Sequence, residues 1–459
     1  MAANKVRLFR PAQIITLAFT LLIVAGTSLL SLPISRADGK FGFNIDTAFT
    51  AISALCVNGL TVENTETFWT PIGHLVILIL VKIGGFGIMA FTALLALLVA
   101  HRMSLRASMV SSEEHRALSS GDIKSVLLRI ALVGFVVESI GTILLTFRLL
   151  FEYQYKFQDA FWNGIFHSIS AFNNAGMALF GDSLIRFNSD PMILLVISIE
   201  VALGSIGFPV LLEVGRHLYK NFKDRRTRRR FATMMHWSLT SRIVVIGTIV
   251  LIAFGMLYFG FLEWNNPATL GAMSPWQKVL NIFVLSVMPR SAGFNAIDIG
   301  QMTHESWLGM DILMFIGGGS GGTAGGLKIT TMTVLVFIVL SEIRNTRAVN
   351  IGKRRLPRSV HRQAITLLFL YAALLIGSVV VLQLLTNFET DKLIFEASSA
   401  LGTTGLSTGI TADLPVAAQI LIMLLMFIGR VGPTLVASSL AVRIGKGFIQ
   451  YPKERPTIG

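Results

Sequence analysis

A chain of 459 residues that is 53% hydrophobic and only 14% charged, with mean hydropathy +0.68, is too poor in charge for an ordinary soluble domain. Its net charge of +14 raises nucleic acid as a partner, but the basic residues gather between apolar runs, so membrane topology accounts for them instead. The single cysteine, Cys56, excludes an intramolecular disulfide, and the eight histidines are scattered. No Cys/His or His–carboxylate group has metal or catalytic spacing, so enzyme chemistry is not expected.

Taken in chain order, apolar runs at Pro11 to Leu32, Ile72 to Ala100, Ile243 to Leu262 and Val416 to Val442 approach or exceed the roughly 20 residues that cross a bilayer. The first ends at Leu32-Pro33 without a small-residue cleavage site, so it reads as a span rather than a removable leader. The expected fold is an all-α polytopic membrane protein of four parallel repeats, each helix–pore-loop–helix. Eight transmembrane helices and four re-entrant half-helices then stand in pseudo-fourfold arrangement around one pore. The boundaries are a cytoplasmic N-terminus at 1–10, repeat 1 at 11–100, a connector at 101–124 and repeat 2 at 125–217. A basic connector at 218–241, repeat 3 at 242–341, a second basic connector at 342–362, repeat 4 at 363–443 and a tail at 444–459 complete the chain. Spans are expected near 12–32, 72–100, 126–150 and 191–217, with amphipathic helix in 104–124. Asp46, Asn163 and Ser274-Pro275 are signals for the starts of the first three short helices.

Within this frame four glycines recur: Gly59, Gly176, Gly293 and Gly405, separated by 117, 117 and 112 residues. Phe49, Phe166, Phe283 and Phe395 each stand ten residues earlier, and are expected to pack the short helices. One such loop alone reads as a turn. Four in register, on one side of a membrane, read as a selectivity filter built from Val57, Asn58 and Gly59, from Asn174, Ala175 and Gly176, from Ser291, Ala292 and Gly293, and from Thr403, Thr404 and Gly405. No ring of carboxylates is available, so backbone carbonyls and hydroxyls would replace the hydration shell of a cation. Half-helix C-termini aimed inward would favour positive charge.

A second recurrence follows. Gly84–Gly87, Gly204–Gly207 and Gly429–Gly432 pair two glycines three apart, a spacing that permits close helix packing. The third repeat has instead Gly317, Gly318, Gly319, Ser320, Gly321, Gly322, Thr323, Ala324, Gly325 and Gly326, then Leu327 and Lys328. Each interior glycine costs about 1 kcal/mol relative to alanine in a helix, so this stretch reads as an unwound intramembrane segment. It fails as a nucleotide-binding P-loop by lysine spacing and by the lack of a preceding strand. Lys82, Glu138, Glu200, Lys328 and Arg430 fall in or near spans, where charge is costly. Lys82 and Glu138 either pair or sit near an interface. Arg430 is expected beneath the filter, beside the unwound segment, as an electrostatic barrier; together they form the expected gate.

Arg216, Lys220, Lys223, Arg225, Arg226, Arg228, Arg229 and Arg230 crowd one connector, and Arg344, Arg347, Lys353, Arg354, Arg355, Arg358 and Arg362 the other. The loop side leans acidic, with Asp38, Glu63, Glu66, Asp182 and Asp413 among others. By the positive-inside rule the connectors and both termini are cytoplasmic and the loops extracellular.

Ile169–Gly176, Pro289–Asn295, Gly322–Lys328 and Ile428–Pro433 resemble the second and third filter signatures, the third-repeat loop and the fourth-repeat arginine motif of the Trk/Ktr/HKT superfamily of potassium transporters. The resemblance covers essentially the whole chain. Eight spans without an extra N-terminal pair are closest to the Ktr membrane subunit (KtrB). It implies potassium uptake across a plasma membrane, bacterial inner membrane included, with potassium at the filter and no cofactor bound by this chain. It also implies stimulation by sodium, a homodimer in the lipid bilayer and a cytosolic KtrA-like nucleotide-binding ring. Glycine at 59, rather than serine, implies preference for potassium. A sodium-coupled symporter, a less selective cation pathway and a membrane scaffold for a cytosolic complex stay open as alternatives.

Overall fold

Each group of helices opens on a long helix followed by a shorter one in the computed structural model, which describes residues 11–107, 120–223, 237–346, 348–352 and 354–442. The helix that follows is long in the first and last groups and broken in two in the second and third. The first group comprises α1 (Pro11–Leu30), α2 (Ile45–Cys56), the single turn α3 (Thr65–Phe68) and α4 (Pro71–Ala107). The second comprises α5 (Ser120–Phe151), α6 (Phe157–Phe172), α7 (Pro191–Ile206) and α8 (Phe208–Lys223). The third comprises α9 (Leu239–Glu263), α10 (Pro275–Val287), α11 (His304–Phe315) and α12 (Ile329–Ile343). A two-residue antiparallel hairpin, β1 (Asn350–Ile351) with β2 (Arg354–Arg355), leads to α13 (Arg358–Leu385), α14 (Thr390–Gly402) and α15 (Val416–Val442). Residues 1–10, the tail 444–459, much of the expected amphipathic stretch, Arg225, Arg226, Arg228, Arg229, Arg230, Arg347 and Lys353 lie outside the described residues.

Local chemistry sets the helix ends. Pro191 opens α7 at a position whose N–H would be unpaired anyway, and the Asp190 carboxylate accepts the N–H groups of Met192 (2.9 Å) and Ile193 (3.3 Å). Ser274 precedes Pro275 at the start of α10, where Gln277 Oε1 accepts the Ser274 N–H at 2.9 Å. The second short helix departs from the expected start. It begins at Phe157, not near Asn163, because Asn163 turns its side-chain amide onto the Asp159 carbonyl (2.9 Å) and so sits inside the helix.

The short helices form the centre. α2 packs on α1, α4 and α15; α6 on α5, α7 and α4; α10 on α9 and α7; α14 on α11, α13 and α15. Each of α6, α10 and α14 therefore touches the helix that follows the short helix of the preceding group, and α2 touches that of the last, which closes the four groups into a ring. Phe49, Phe166 and Phe395 are fully buried in these contacts, while Phe283 is half-buried. The outside is apolar: Leu132 and Phe135 on α5, Leu257 and Phe261 on α9, and Phe369 and Leu384 on α13 are exposed. A belt of large exposed apolar side chains fits lipid, not water. Ser125–Phe151, Leu239–Glu263 and Arg358–Leu385 are long and apolar enough to cross a membrane.

The segment expected as a span near 191–217 is bent. It breaks between α7 and α8 with a bend of 102°, because Gly207 adopts φ 98° and the following Phe208 N–H donates to the Gly321 carbonyl at 3.2 Å. Gly207 is both the turning point and a close approach: a Cβ there would come within 3.0 Å of the Ser320 carbonyl oxygen, and its positive φ suits glycine. Close packing also describes Gly84, Gly204 and Gly429. A Cβ on these would come within 3.0 Å of the carbonyl oxygens of Leu55, Phe172 and Leu401, which end the short helix of the same group.

Candidate functional site

At the middle of the ring the four short helices end in loops of matching conformation. Val57, Asn174, Ser291 and Thr403, each two residues before a recurrent glycine, adopt left-handed φ of 53°, 61°, 88° and 49°. Gly59, Gly176, Gly293 and Gly405 have φ of 101°, 67°, 69° and 91°. The residues between them are not among those of positive φ. Alternating hand along three residues turns successive peptide planes so that their carbonyls line one side. For Val57 and Thr403 this conformation costs on the order of 1–3 kcal/mol each, strain of the kind that collects at functional sites.

The amide donors of the first and fourth loops, and part of those of the second and third, are spent behind them. Val57 N–H donates to Ala54 O (3.1 Å), Asn58 N–H to Ser53 O (2.9 Å) and Gly59 N–H to Ser53 Oγ (3.1 Å). Thr403, Thr404 and Gly405 repeat the pattern on Ala400 O, Ser399 O and Ser399 Oγ, and Ala175 N–H donates to Ser170 O at 2.8 Å. The carbonyls then close a cycle. Gly59 lies against the carbonyl oxygen of Ala175, Gly176 against that of Ala292, Gly293 against that of Thr404, and Gly405 against that of Asn58. In every case a Cβ would come within 3.0 Å of that oxygen. Side chains lock neighbouring loops. Asn58 Nδ2 donates to Ser399 and Ala400 carbonyls at 3.2 Å each, Ser291 Oγ to Thr403 O at 2.8 Å, and Thr404 Oγ1 to Pro289 O at 3.3 Å. The ring opens outward into a cavity of about 450 Å³ bordered by all four glycines and by Glu63, Asp182 and Asp298. Among the described residues no group of three or more His, Cys, Asp or Glu is placed to hold a metal ion.

Under this ring lies the glycine-rich stretch. Between α11 and α12 the chain leaves the helix at Ile316 and returns beside its origin. Ile316 pairs with Leu327 in a parallel bridge, Gly317 N–H donates to Leu327 O (2.8 Å), and Ile329 N–H donates to Gly318 O (3.1 Å). Gly319 and Thr323 donate to Ser205 O (2.7 Å) and Gly204 O (3.1 Å). The segment reaches two of the loops through side chains: Thr323 Oγ1 to Asn174 Oδ1 at 2.7 Å, and Gly325 N–H to Ser291 Oγ at 2.9 Å. Gly317, Gly318, Gly319, Gly321, Gly322, Ala324 and Gly326 are buried, Ser320 is exposed, and Lys328 donates its ammonium to the Ala324 carbonyl. Arg430, 3% exposed, donates to the Thr323 carbonyl and, at 3.1 Å, to Gly84 O. One guanidinium thus ties α15 to the unwound segment and to α4.

Residues 2–446 match the family described as cation transport protein (TrkH). The chain belongs to this family. Similar members include Ktr system potassium uptake protein B of Bacillus subtilis, 34% identical over 97% of this chain and 96% of that protein. The protein of the same name from Vibrio alginolyticus is 33% identical over 97% and 94%, and potassium/sodium uptake protein NtpJ of Enterococcus hirae is 32% identical over 98% and 97%. The crystal structure of the potassium transporter TrkH from Vibrio parahaemolyticus superposes with a TM-score of 0.70 at 16% identity, covering 96% of this chain and 86% of that one. At that identity the likeness shows the fold of the family.

Three charged groups flagged by the sequence gather around the second group's short helix in this family member. Lys82 pairs with Glu138, which also accepts Asn173 Nδ2 at 3.0 Å; Ser168 Oγ touches the Glu138 carbonyl (2.7 Å) and Glu200 Oε1 (2.5 Å). The cluster joins α4, α5, α6 and α7, so it staples the first group to the second. Sequence reasoning passed over His167 and Glu396, both buried. Each directly follows one of the recurrent phenylalanines, and comparing that column across the four segments exposes them. Arg290, 2% exposed with Nη2 on Thr248 Oγ1 at 3.2 Å, carries no such signal beyond its place before the third loop.

Proposed function

We propose that this chain conducts potassium through a pore at the centre of the ring, as the membrane subunit of a Ktr-like uptake system. The observation that carries the reading is the closed cycle of carbonyls on glycines, with the loop N–H groups bonded backward. Such a ring presents oxygen to a dehydrated monovalent cation and offers no fixed carboxylate to trap it. The negative ends of four short helices add to the attraction, and the acidic outer cavity raises local cation concentration. The four groups are then repeats, with eight spans, loops outside and basic connectors and termini in the cytoplasm of a plasma membrane. The segment 317–328 with Arg430 is the gate, a constriction whose buried guanidinium repels a passing cation.

The names of the B. subtilis and V. alginolyticus relatives support potassium as the ion and a multi-component system, and the resemblance adds a homodimer and a KtrA-like cytosolic ring. Sodium stimulation is part of the same reading. The potassium/sodium name of the E. hirae relative favours one alternative, a less selective or sodium-coupled pathway. Radioactive-rubidium uptake into potassium-transport-deficient cells, with and without sodium, tests both. No rubidium uptake from membrane-inserted protein refutes the pore. Uptake that needs sodium stoichiometrically favours the symporter.

A further inference from the structure

Residues nine before the loop glycines differ in kind: Thr50, His167, Val284 and Glu396. In two groups this residue does the same thing with different chemistry. His167 Nδ1–H donates to the Asn163 carbonyl (2.8 Å), which leaves Nε2 as the acceptor for the Leu179 N–H at 3.2 Å. Glu396 accepts the Thr408 N–H at 3.0 Å, Ser407 Oγ at 2.6 Å and Thr411 Oγ1 at 2.7 Å. Leu179 and Thr408 both stand three residues beyond their glycine. In the other two groups the contact is missing: Thr50 spends its hydroxyl on the Asp46 carbonyl (2.9 Å), and Val284 has no acceptor. The third group's outer stretch leans instead on its neighbour, with Asn295 N–H on Ser183 Oγ at 3.3 Å.

We propose that His167 and Glu396 are positioning residues for ion selection, each tying the outer end of its loop to the helix behind it. The proposal rests on the pore reading above. Geometry carries it. In the fourth loop Gly405 N–H is held by Ser399 Oγ at 3.0 Å and Thr408 N–H by Glu396, so the peptides between are fixed at both ends. In the second loop, Ala175 N–H on Ser170 O and Leu179 N–H on His167 do the same, and the His167 ring stacks on Phe180 at 4.5 Å. The carbonyl cycle runs first to second to third to fourth group, so the braced loops face each other across the ring. One diagonal is rigid. The other lacks this outer brace, although Gly59 N–H of the first loop is held at its inner end by Ser53 Oγ at 3.1 Å. A buried acceptor lost here leaves its N–H unsatisfied, and the loop then relaxes toward another partner, which moves the carbonyls that discriminate between ions.

The test is competition between rubidium and sodium for uptake in deficient cells, at matched membrane abundance. Glu396→Leu and His167→Phe remove the acceptors, and each lowers rubidium-over-sodium discrimination on the order of tenfold, the size of one unsatisfied buried donor. His167→Gln, which restores an acceptor oxygen, recovers most of it; Thr50→Val, at the unbraced position, leaves it unchanged. Wild-type discrimination in both acceptor-free variants overturns the proposal, as does an equal loss in Thr50→Val. Where Glu396→Leu does not reach the membrane, Glu396→Asp is purified and the Tm rise with potassium is compared with that in sodium. A shorter carboxylate that still shows the wild-type contrast also overturns the brace. A wild-type chain that takes up no rubidium refutes the pore reading itself and the brace with it.

Discussion

Gly59→Ser, with Gly59→Ala beside it, probes the carbonyl cycle most directly. A Cβ at this position falls within 3.0 Å of the Ala175 carbonyl oxygen and 3.3 Å from Gly405 Cα. Both neighbours are backbone, so neither can swing aside as a side-chain tip would. The φ of 101° adds strain of about 1–3 kcal/mol for any L side chain. Relief requires the Ala175 peptide to retreat by several tenths of an ångström or rotate its oxygen off the ring. Discrimination follows tenfold per 1.4 kcal/mol. If about half of the strain falls on the potassium site, rubidium-over-sodium selectivity drops about two- to twelvefold. Competitive uptake at equal membrane abundance reads this ratio, and Gly377→Ala is the control, because a Cβ there meets nothing within 4 Å. Wild-type selectivity in both Gly59 variants would refute the claim that this position forms the ring.

Further outcomes follow from the same geometry. Arg430→Ala frees the 317–328 segment from α4 and α15 and removes a buried positive charge, so rubidium flux rises severalfold; unchanged flux from membrane-inserted protein counts against the gate. Lys82→Met leaves Glu138 without its cation and lowers thermal stability in detergent by roughly 3 kcal/mol, whereas Lys82→Met with Glu138→Gln recovers most of the loss; additive losses in the double variant contradict the pairing. Burial, reinforced by the Asp46 carboxylate, raises the Glu63 carboxyl above the usual carboxylate range. As external pH falls, its charge at the outer cavity is therefore lost earlier than that of an ordinary glutamate. Uptake at low potassium then declines about twofold, the effect of one charge about 10 Å away in water. Glu63→Gln flattens this part of the pH profile, and a profile identical to wild type argues that Glu63 does not act on the ion.

What the sequence made legible was whatever recurs. Glycine spacing located the four loops, and apolar length located the long helices, because both are set by local chemistry and bilayer dimensions. The hinge at Gly207 was not legible. Its glycine pair matches those at Gly84 and Gly429, and only the tertiary bond from Phe208 N–H to Gly321 separates a broken helix from a packed one. Asn163 misled for the opposite reason, since its cap-like side chain found a carbonyl one turn back inside the helix. The left-handed residues before the glycines were also hidden. Val57 and Thr403 are β-branched, and local propensity places them elsewhere; the surrounding helix C-termini overrule it. His167 and Glu396 stand out in the column after the recurrent phenylalanines, but their partners needed the fold, because these lie 12 residues onward across a turn whose path the sequence does not give.

On this reading, selection and gating share atoms. Thr323 supports the second loop through Asn174 and also accepts the Arg430 guanidinium on its carbonyl; Gly325 supports the third loop through Ser291, whose hydroxyl in turn bonds the Thr403 carbonyl of the fourth. A movement of the segment large enough to open the passage must break or lengthen these bonds. Three of the four loops then lose support from below, while the first, held by Ser53 and by Asn58 on α14, keeps its own. Shortening the segment by several glycines should therefore raise flux and lower ion discrimination together. A gate mechanically separate from the ring would raise flux alone. The ratio of the two effects measures how far the unwound segment, as opposed to the short helices, sets the geometry of the carbonyl ring.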